Sequence, residues 1–306
     1  MKKSVILLLL FFVILNIYAE DLIIFHAGSL TNVLHELSKA FEQEYPKIDV
    51  KLVAAGSLVV ARKITELHQI ADLAFVADYT IIPEFLYDHY ANYNVVFSNN
   101  SIVLAYTNKS KYCDLINKNN WYEIIFKKGV LFGHSNPDLD PAGYRTLMVM
   151  KLAEDFYSKN ELFEKFINAK NKFILKKSID LVAYLEAGEL DYAFLYKSVA
   201  FQYNLKYLEL PDEINLSSDE YKENYKKVSV EVPGKDGNPM KIFGKPINFS
   251  FTILKNAQNK KAAIEFVKFM YSDKGRKIFK ENGMELFVLV DNPDNLPEEL
   301  KEIWGF

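Results

Sequence analysis

Ala-Gly-Ser-Leu occurs twice, at 27–30 and again at 55–58. Glycine lets a ligand come close to the backbone, and serine adds a hydroxyl donor. Each copy stands where an apolar, strand-like run gives way to a helical pattern. A helix N-terminus presents unpaired N–H groups and about half a positive charge. Two such corners aimed at one point would therefore hold a tetrahedral oxyanion through amide and hydroxyl donors. Either serine alone reads equally well as an N-cap, a position serine favours anyway. The repetition at equivalent places is what points to a ligand.

Three further positions could face the same point. The turn from His134 to Arg145 contains Leu139-Asp140-Pro141, in which Asp140 and Pro141 also form a good N-cap and N1 pair. Ser178, in Lys177-Ser178-Ile179-Asp180, opens another helical stretch, and Tyr196 ends a strand-like run at Leu195-Tyr196-Lys197-Ser198. A strand-end tyrosine can donate its hydroxyl to an anion, although most tyrosines only pack.

The elements that must position these residues alternate. Leu22 to Phe25 reads as a strand, followed by a helix with Leu30, Val33, Leu34, Leu37 and Phe41 on one face and ended by Pro46. Val50–Ala54 is a second strand, and Val60, Ile64 and Leu67 mark a second helix before a strand at Leu73–Ala77. A second α/β unit begins at Ile102–Tyr106. It continues through strands at Val130–Phe132, Phe173–Leu175 and Leu190–Tyr196, with a helix from about Ala142 to Tyr157. After Pro211 a hairpin is expected at Val228–Val232 and Met240–Phe243, then a strand at Phe249–Leu254 and two helices parted near Ser272-Asp273. Strands alternating with helices predict mainly parallel sheets, whose C-terminal edges are where such folds bind ligands.

Composition narrows the partners. The formal net charge is −3, becoming −5 without Lys2 and Lys3, and no Lys/Arg-rich block is present. That argues against nucleic acid and against an anionic membrane face, though not against a small anion held by backbone amides. Cys113 is the only cysteine, so stability rests on core burial without disulfides. Lys2, Lys3 and the apolar run from Val5 to Ile17, followed by Ile17-Tyr18-Ala19, read as a signal peptide over residues 1–19 and hence as export. The run is short of the roughly 20 apolar residues that span a bilayer.

Taken together, HAGSL at 26–30, AAGSLVVARKI at 54–64, ADYTIIP at 77–83, SNPDLDPAGYR at 135–145, LEAGELDYAFLYKSVA at 185–200 and LELPDEINL at 208–216 resemble the molybdate/tungstate-binding proteins of ABC transporters, in particular the archaeal-type tungstate/molybdate branch. The resemblance runs in order along essentially the whole chain after residue 19. It implies an α/β, two-lobed periplasmic-binding-protein-like (type II) fold with two hinge crossovers, near Phe97–Leu104 and Ala200–Tyr207. The expected division is 20–100 in the first lobe, 101–203 in the second, and 204–306 returning to the first with a hairpin insertion. It also implies a monomeric periplasmic or cell-surface receptor that captures tungstate or molybdate without any cofactor and serves a membrane permease. Gly28, Ser29 and Ser57 would bind the anion from the first lobe, and Leu139, Asp140, Pro141, Ser178 and Tyr196 from the second. In that branch an aspartate and a later glutamate are implied to reach the metal itself. Asp140 fits the first role, but the position aligned with the glutamate is Ser178, which puts six-fold coordination in question; Asp180 and Glu186 are the nearby carboxylates.

Asp140 bears on ligand choice. Beside fully ionised sulfate a carboxylate is a like charge in a poorly hydrated cleft. Beside hydrogen phosphate it accepts the ligand's proton, and beside Mo(VI) or W(VI) it offers a hard oxygen ligand. Phosphate is therefore the chief competing oxyanion. An enzyme is disfavoured because no GxSxG, HExxH, P-loop or paired-cysteine motif occurs and the histidines are scattered. His134, near Ser135 and Asp140, reads as a hydrogen-bonded structural residue. A receptor for iron or a polyamine would need converging cation ligands, and a sensor that only borrows the fold is a third alternative.

Overall fold

The computed structural model describes residues 20–234 and 237–306; the expected signal peptide lies outside the described residues. In chain order the first unit comprises β1 (Glu20–Ala27), α1 (Thr31–Glu44), β2 (Ile48–Ala55), α2 (Ser57–Thr65), β3 (Leu73–Val76) and β4 (Asn94–Asn100). Next come β5 (Ile102–Tyr106), α3 (Trp121–Ile124), β6 (Phe132–Ser135), α4 (Pro141–Phe156), α5 (Leu162–Ile167), β7 (Lys172–Leu175), α6 (Asp180–Ala187), β8 (Tyr192–Tyr196), α7 (Lys197–Gln202) and β9 (Lys206–Glu209). The remainder is α8 (Asp212–Asn215), α9 (Lys222–Tyr225), β10 (Ser229–Pro233), β11 (Pro239–Phe243), β12 (Ile247–Ile253), α10 (Lys260–Met270), α11 (Asp273–Glu281), β13 (Leu289–Asp291) and α12 (Glu298–Trp304).

Two mixed sheets result, one in the order β13-β4-β12-β3-β1-β2 and the other β7-β6-β8-β5-β9. Parallel pairing is confined to β2-β1-β3 and β7-β6-β8, while the returning strands β12 and β5 pair antiparallel with their neighbours. The parallel halves carry the turns of interest. Every side chain of β3 is buried, as expected of an apolar strand covered on both faces. The α1 stripe of Val33, Leu34, Leu37 and Phe41 is fully buried, and Phe41 meets Phe266 and Phe269 of α10 edge-on. Each such side chain contributes about 1.5–3 kcal/mol on burial.

The first crossover is the single residue Ser101 between β4 and β5, inside the expected span. The second differs from expectation. β9, at Lys206–Glu209, is still the edge strand of the second sheet, and α8 packs on α4. The chain rejoins the first sheet only at β12, so the return expected from residue 204 occurs after β11. Lys206-Tyr207-Leu208-Glu209 mixes apolar and charged residues and gives no hint of which sheet it joins. The hairpin β10–β11 forms antiparallel as expected. It touches both units: Lys151 of α4 donates to the Ser229 carbonyl (2.6 Å) and Arg62 of α2 to the Pro233 carbonyl (2.7 Å).

Candidate anion-binding site

The duplicated corners lie side by side because β1 and β2 pair in register, Ala27 opposite Ala55. Gly28–Leu30 forms a single 3-10 turn before α1, and Gly56 precedes α2. Neither serine caps a helix. Ser29 lies inside the 3-10 turn, and Ser57 is the first residue of α2 with no capping hydrogen bond. The Ser57 hydroxyl instead accepts from the Ala77 N–H at the end of β3 (2.9 Å). With that lone pair engaged, its own proton is free to donate to a ligand. The first α2 amide bonded to a helical carbonyl is that of Val60, to Gly56 (2.9 Å), and in the other turn Thr31 donates to Gly28. The N–H groups ahead of each have no partner within their turns.

The second unit faces these corners directly. A Cβ on Gly56 would lie 2.0 Å from the Leu139 carbonyl oxygen and 3.3 Å from the Asp140 Cα. One on Gly28 would lie 3.5 Å from Ile179 Cγ2 and 3.8 Å from Lys177 Cδ. Glycine at 56 thus allows backbone-to-backbone contact between the units. Asp140 is buried; its Oδ1 accepts from the Ala142 N–H (3.1 Å) and its Oδ2 from the Ser178 N–H (2.7 Å). It therefore caps α4, the alternative role expected for it, and also ties that helix to the Ser178 turn. Each carboxylate oxygen has two lone pairs, so one on each remains. Burial pushes its carboxyl above the ordinary range, against the opposing pull of the Ser178 and Ala142 amides and the Ser178 and Ser135 hydroxyls.

The other expected residues divide. The Leu139 and Asp140 amides both donate to the Asn136 carbonyl (3.1 and 3.0 Å), and Pro141 has none to give. The Ser178 amide serves Asp140. What this unit has left to offer is hydroxyls: the buried Oγ atoms of Ser178 and Ser135 stand beside the Asp140 carboxylate but make no hydrogen bond of full geometry. Ser135 is a residue the sequence did not single out; followed by Asn136-Pro137, it reads as part of a turn. Tyr196 is fully buried, and its hydroxyl makes a long contact to the Ala77 carbonyl (3.4 Å) across the two units. Burial raises the Tyr196 phenol well above its ordinary value, and the nearby Asp140 and Asp78 charges add to this against Arg145. Asp180 and Glu186 lie on α6, both exposed. Among the described residues no group of three His, Cys, Asp or Glu side chains stands together to hold a metal cation.

Two histidines brace the strand ends in the same manner. His26 Nδ1 lies 2.9 Å from the Ala27 carbonyl and His134 Nδ1 2.8 Å from the Ser135 carbonyl. Burial lowers both to about 4, outweighing the opposing carbonyl bond. As pH falls the unfolded chain protonates first, so stability is unaffected above about 6.5 and declines from there to about 4. The loss reaches about 3 kcal/mol per histidine at the lower end. Urea unfolding from pH 7 to 4 should show this slope, and His134→Asn should reduce it by about half. A slope unaltered by the substitution would contradict the assignment.

Known proteins share this chain's sequence and fold. The family model described as "Bacterial extracellular solute-binding protein" matches residues 22–285. The molybdate/tungstate-binding protein of Pyrococcus abyssi is 43% identical, over 92% of this chain and 88% of its own; that of Thermococcus kodakarensis is 40% identical, over 92% and 86%. An uncharacterized solute-binding protein of Petrotoga mobilis is 43% identical, over 92% and 89%. Among solved structures, the periplasmic molybdate-binding protein of Azotobacter vinelandii shares the fold, with a TM-score of 0.66 at 17% identity over 87% of this chain and 99% of that one. Matched along most of its length by model and relatives alike, the chain belongs to the bacterial extracellular solute-binding protein family.

Proposed function

We propose that this protein is the extracytoplasmic receptor that captures tungstate or molybdate and delivers it to the membrane permease of an ABC transporter. The observation that carries the reading is the opposition of two kinds of unused donor. The Gly28–Ser29 and Ser57 corners offer amides and hydroxyls from one side, and the buried Ser135 and Ser178 hydroxyls, beside Asp140 but in no hydrogen bond of full geometry, stand on the other. Buried polar groups are normally paired, and a tetrahedral oxyanion would pair all of these at once. The relatives from Pyrococcus and Thermococcus bear the name of that ligand.

In this reading Gly28, Ser29 and Ser57 bind the anion from the first lobe, and Ser135 and Ser178 from the second. Tyr196 backs the Ala77 carbonyl, while the Leu139-Asp140-Pro141 turn closes on Gly56. Asp140 turns its remaining lone pairs to the metal centre. With serine at 178 the site supplies one carboxylate, so the second ligand needed for six-fold coordination is missing. Closure by hinge motion creates the surface that a permease reads. Export rests on the segment 1–19 and on family membership; among the described residues no helix is long and apolar enough to cross a membrane. Calorimetry of the protein lacking residues 1–19 should show tight one-to-one binding of tungstate or molybdate, with sulfate and phosphate weaker. Sub-micromolar phosphate or sulfate binding without tungstate binding would overturn the assignment.

A further inference from the structure

Asp78 follows β3 in the first unit, and its two carboxylate oxygens serve different units. Oδ1 accepts from the Thr80 N–H (3.0 Å) and the Thr80 hydroxyl (2.7 Å), both local. Oδ2 accepts from the Tyr144 hydroxyl (2.7 Å) and from Arg145 Nη2 (2.5 Å), both on α4 of the second unit. Arg145 Nη1 also donates to the Lys245 carbonyl (3.0 Å), in the segment that leads back into β12. All three side chains are fully buried. Burial alone would discharge the carboxyl, but the Arg145 and Lys245 charges, with the Thr80 donors, outweigh it and hold Asp78 ionised.

We propose that Asp78, Tyr144 and Arg145 form a closure latch that sets how long a captured anion stays, acting through the mating of the lobes. Both ends of the latch are wired to the site. Ala77, the neighbour of Asp78, orients the Ser57 hydroxyl and receives Tyr196. Tyr144 and Arg145 lie one turn beyond Asp140, at the head of the same helix. Withdrawal of the Leu139–Asp140 turn from Gly56 would therefore carry Arg145 away from Asp78. An intact buried pair is near break-even against two solvated charges, whereas a buried charge left alone is strongly unfavourable. Such a latch barely biases the empty protein, so the anion decides closure, yet every opening must break the pair.

The inference rests on the oxyanion-receptor reading, and the test separates the two. Labelled tungstate is bound and then chased with excess unlabelled tungstate, in the wild type and in Asp78→Asn, Arg145→Met, Tyr144→Phe and the Asp78→Asn/Arg145→Met double variant. Each charge variant should raise the dissociation rate at least about tenfold with association changed less than about threefold. Tyr144→Phe should have a smaller effect in the same sense, and the double variant should recover much of the loss. The thermal midpoint should fall for the tungstate-bound form and stay nearly constant for the empty one. Unchanged dissociation, no recovery in the double variant, or equal destabilisation of empty and bound forms would each overturn the latch. A wild type that fails to bind tungstate would overturn the receptor reading and the latch with it.

Discussion

Gly56→Ala should abolish tight anion binding while leaving the unliganded protein folded. The added Cβ would sit 2.0 Å from the Leu139 carbonyl oxygen, where no real Cβ is found, and the atom in its way is backbone rather than the end of a flexible side chain. The two turns would have to separate by more than 1 Å, against a contact distance near 3 Å. Overpacking of this kind costs about 3 kcal/mol or more, roughly 100-fold in affinity. The backbone of Gly56 itself, at φ −67° and ψ 147°, is one that alanine adopts freely, so the penalty falls on the closed form alone. Calorimetry combined with thermal unfolding of the empty protein separates the two effects. Equal affinity in the variant would mean that the lobes do not meet at this glycine when the anion is bound.

The second large effect is expected from Ser29→Ala combined with Ser57→Ala. Hydrogen bonds to a charged acceptor contribute about 1.5–3 kcal/mol each, so the pair should weaken binding by about 3–6 kcal/mol. The single variants should differ in a telling way. The Ser57 hydroxyl satisfies the buried Ala77 N–H, so its removal leaves an orphaned donor and destabilises even the empty protein, by about 1–3 kcal/mol. The Ser29 hydroxyl makes no hydrogen bond within the described residues, so Ser29→Ala should lower affinity with little change in stability. Two serines that affected stability alone, with affinity intact, would be structural residues and nothing more.

The Ala-Gly-Ser repeat was legible because both copies follow strands whose apolar pattern is unmistakable, and parallel pairing then sets Ala27 opposite Ala55 without further information. The α4 start at Asp140-Pro141 was legible for a similar reason, since capping chemistry is local. What lay beyond the sequence is what depends on two distant segments meeting. The Asp78–Arg145 pair spans 67 residues and two sheets, and ADYTIIP taken alone gives Asp78 no reason to be buried. The roles within the second lobe were hidden differently. Whether an amide is free for a ligand depends on the local turn, and the Asn136 carbonyl and the Asp140 carboxylate take up the amides of Leu139, Asp140 and Ser178. The buried Ser135 hydroxyl, proposed above as a donor, sits where sequence alone shows a turn. The second crossover escapes the sequence because β9 is a short strand of mixed character whose partner, β5, lies about a hundred residues earlier.

The most direct measurement is a crystal structure of the protein grown with tungstate, with the heavy atom located by its anomalous scattering. A single strong peak is predicted between the Gly28–Ser29 and Ser57 corners on one side and Ser135, Asp140 and Ser178 on the other, with the oxygens around it within hydrogen-bonding reach of all four serine hydroxyls. A peak anywhere else, or none there at saturating tungstate, would contradict the account.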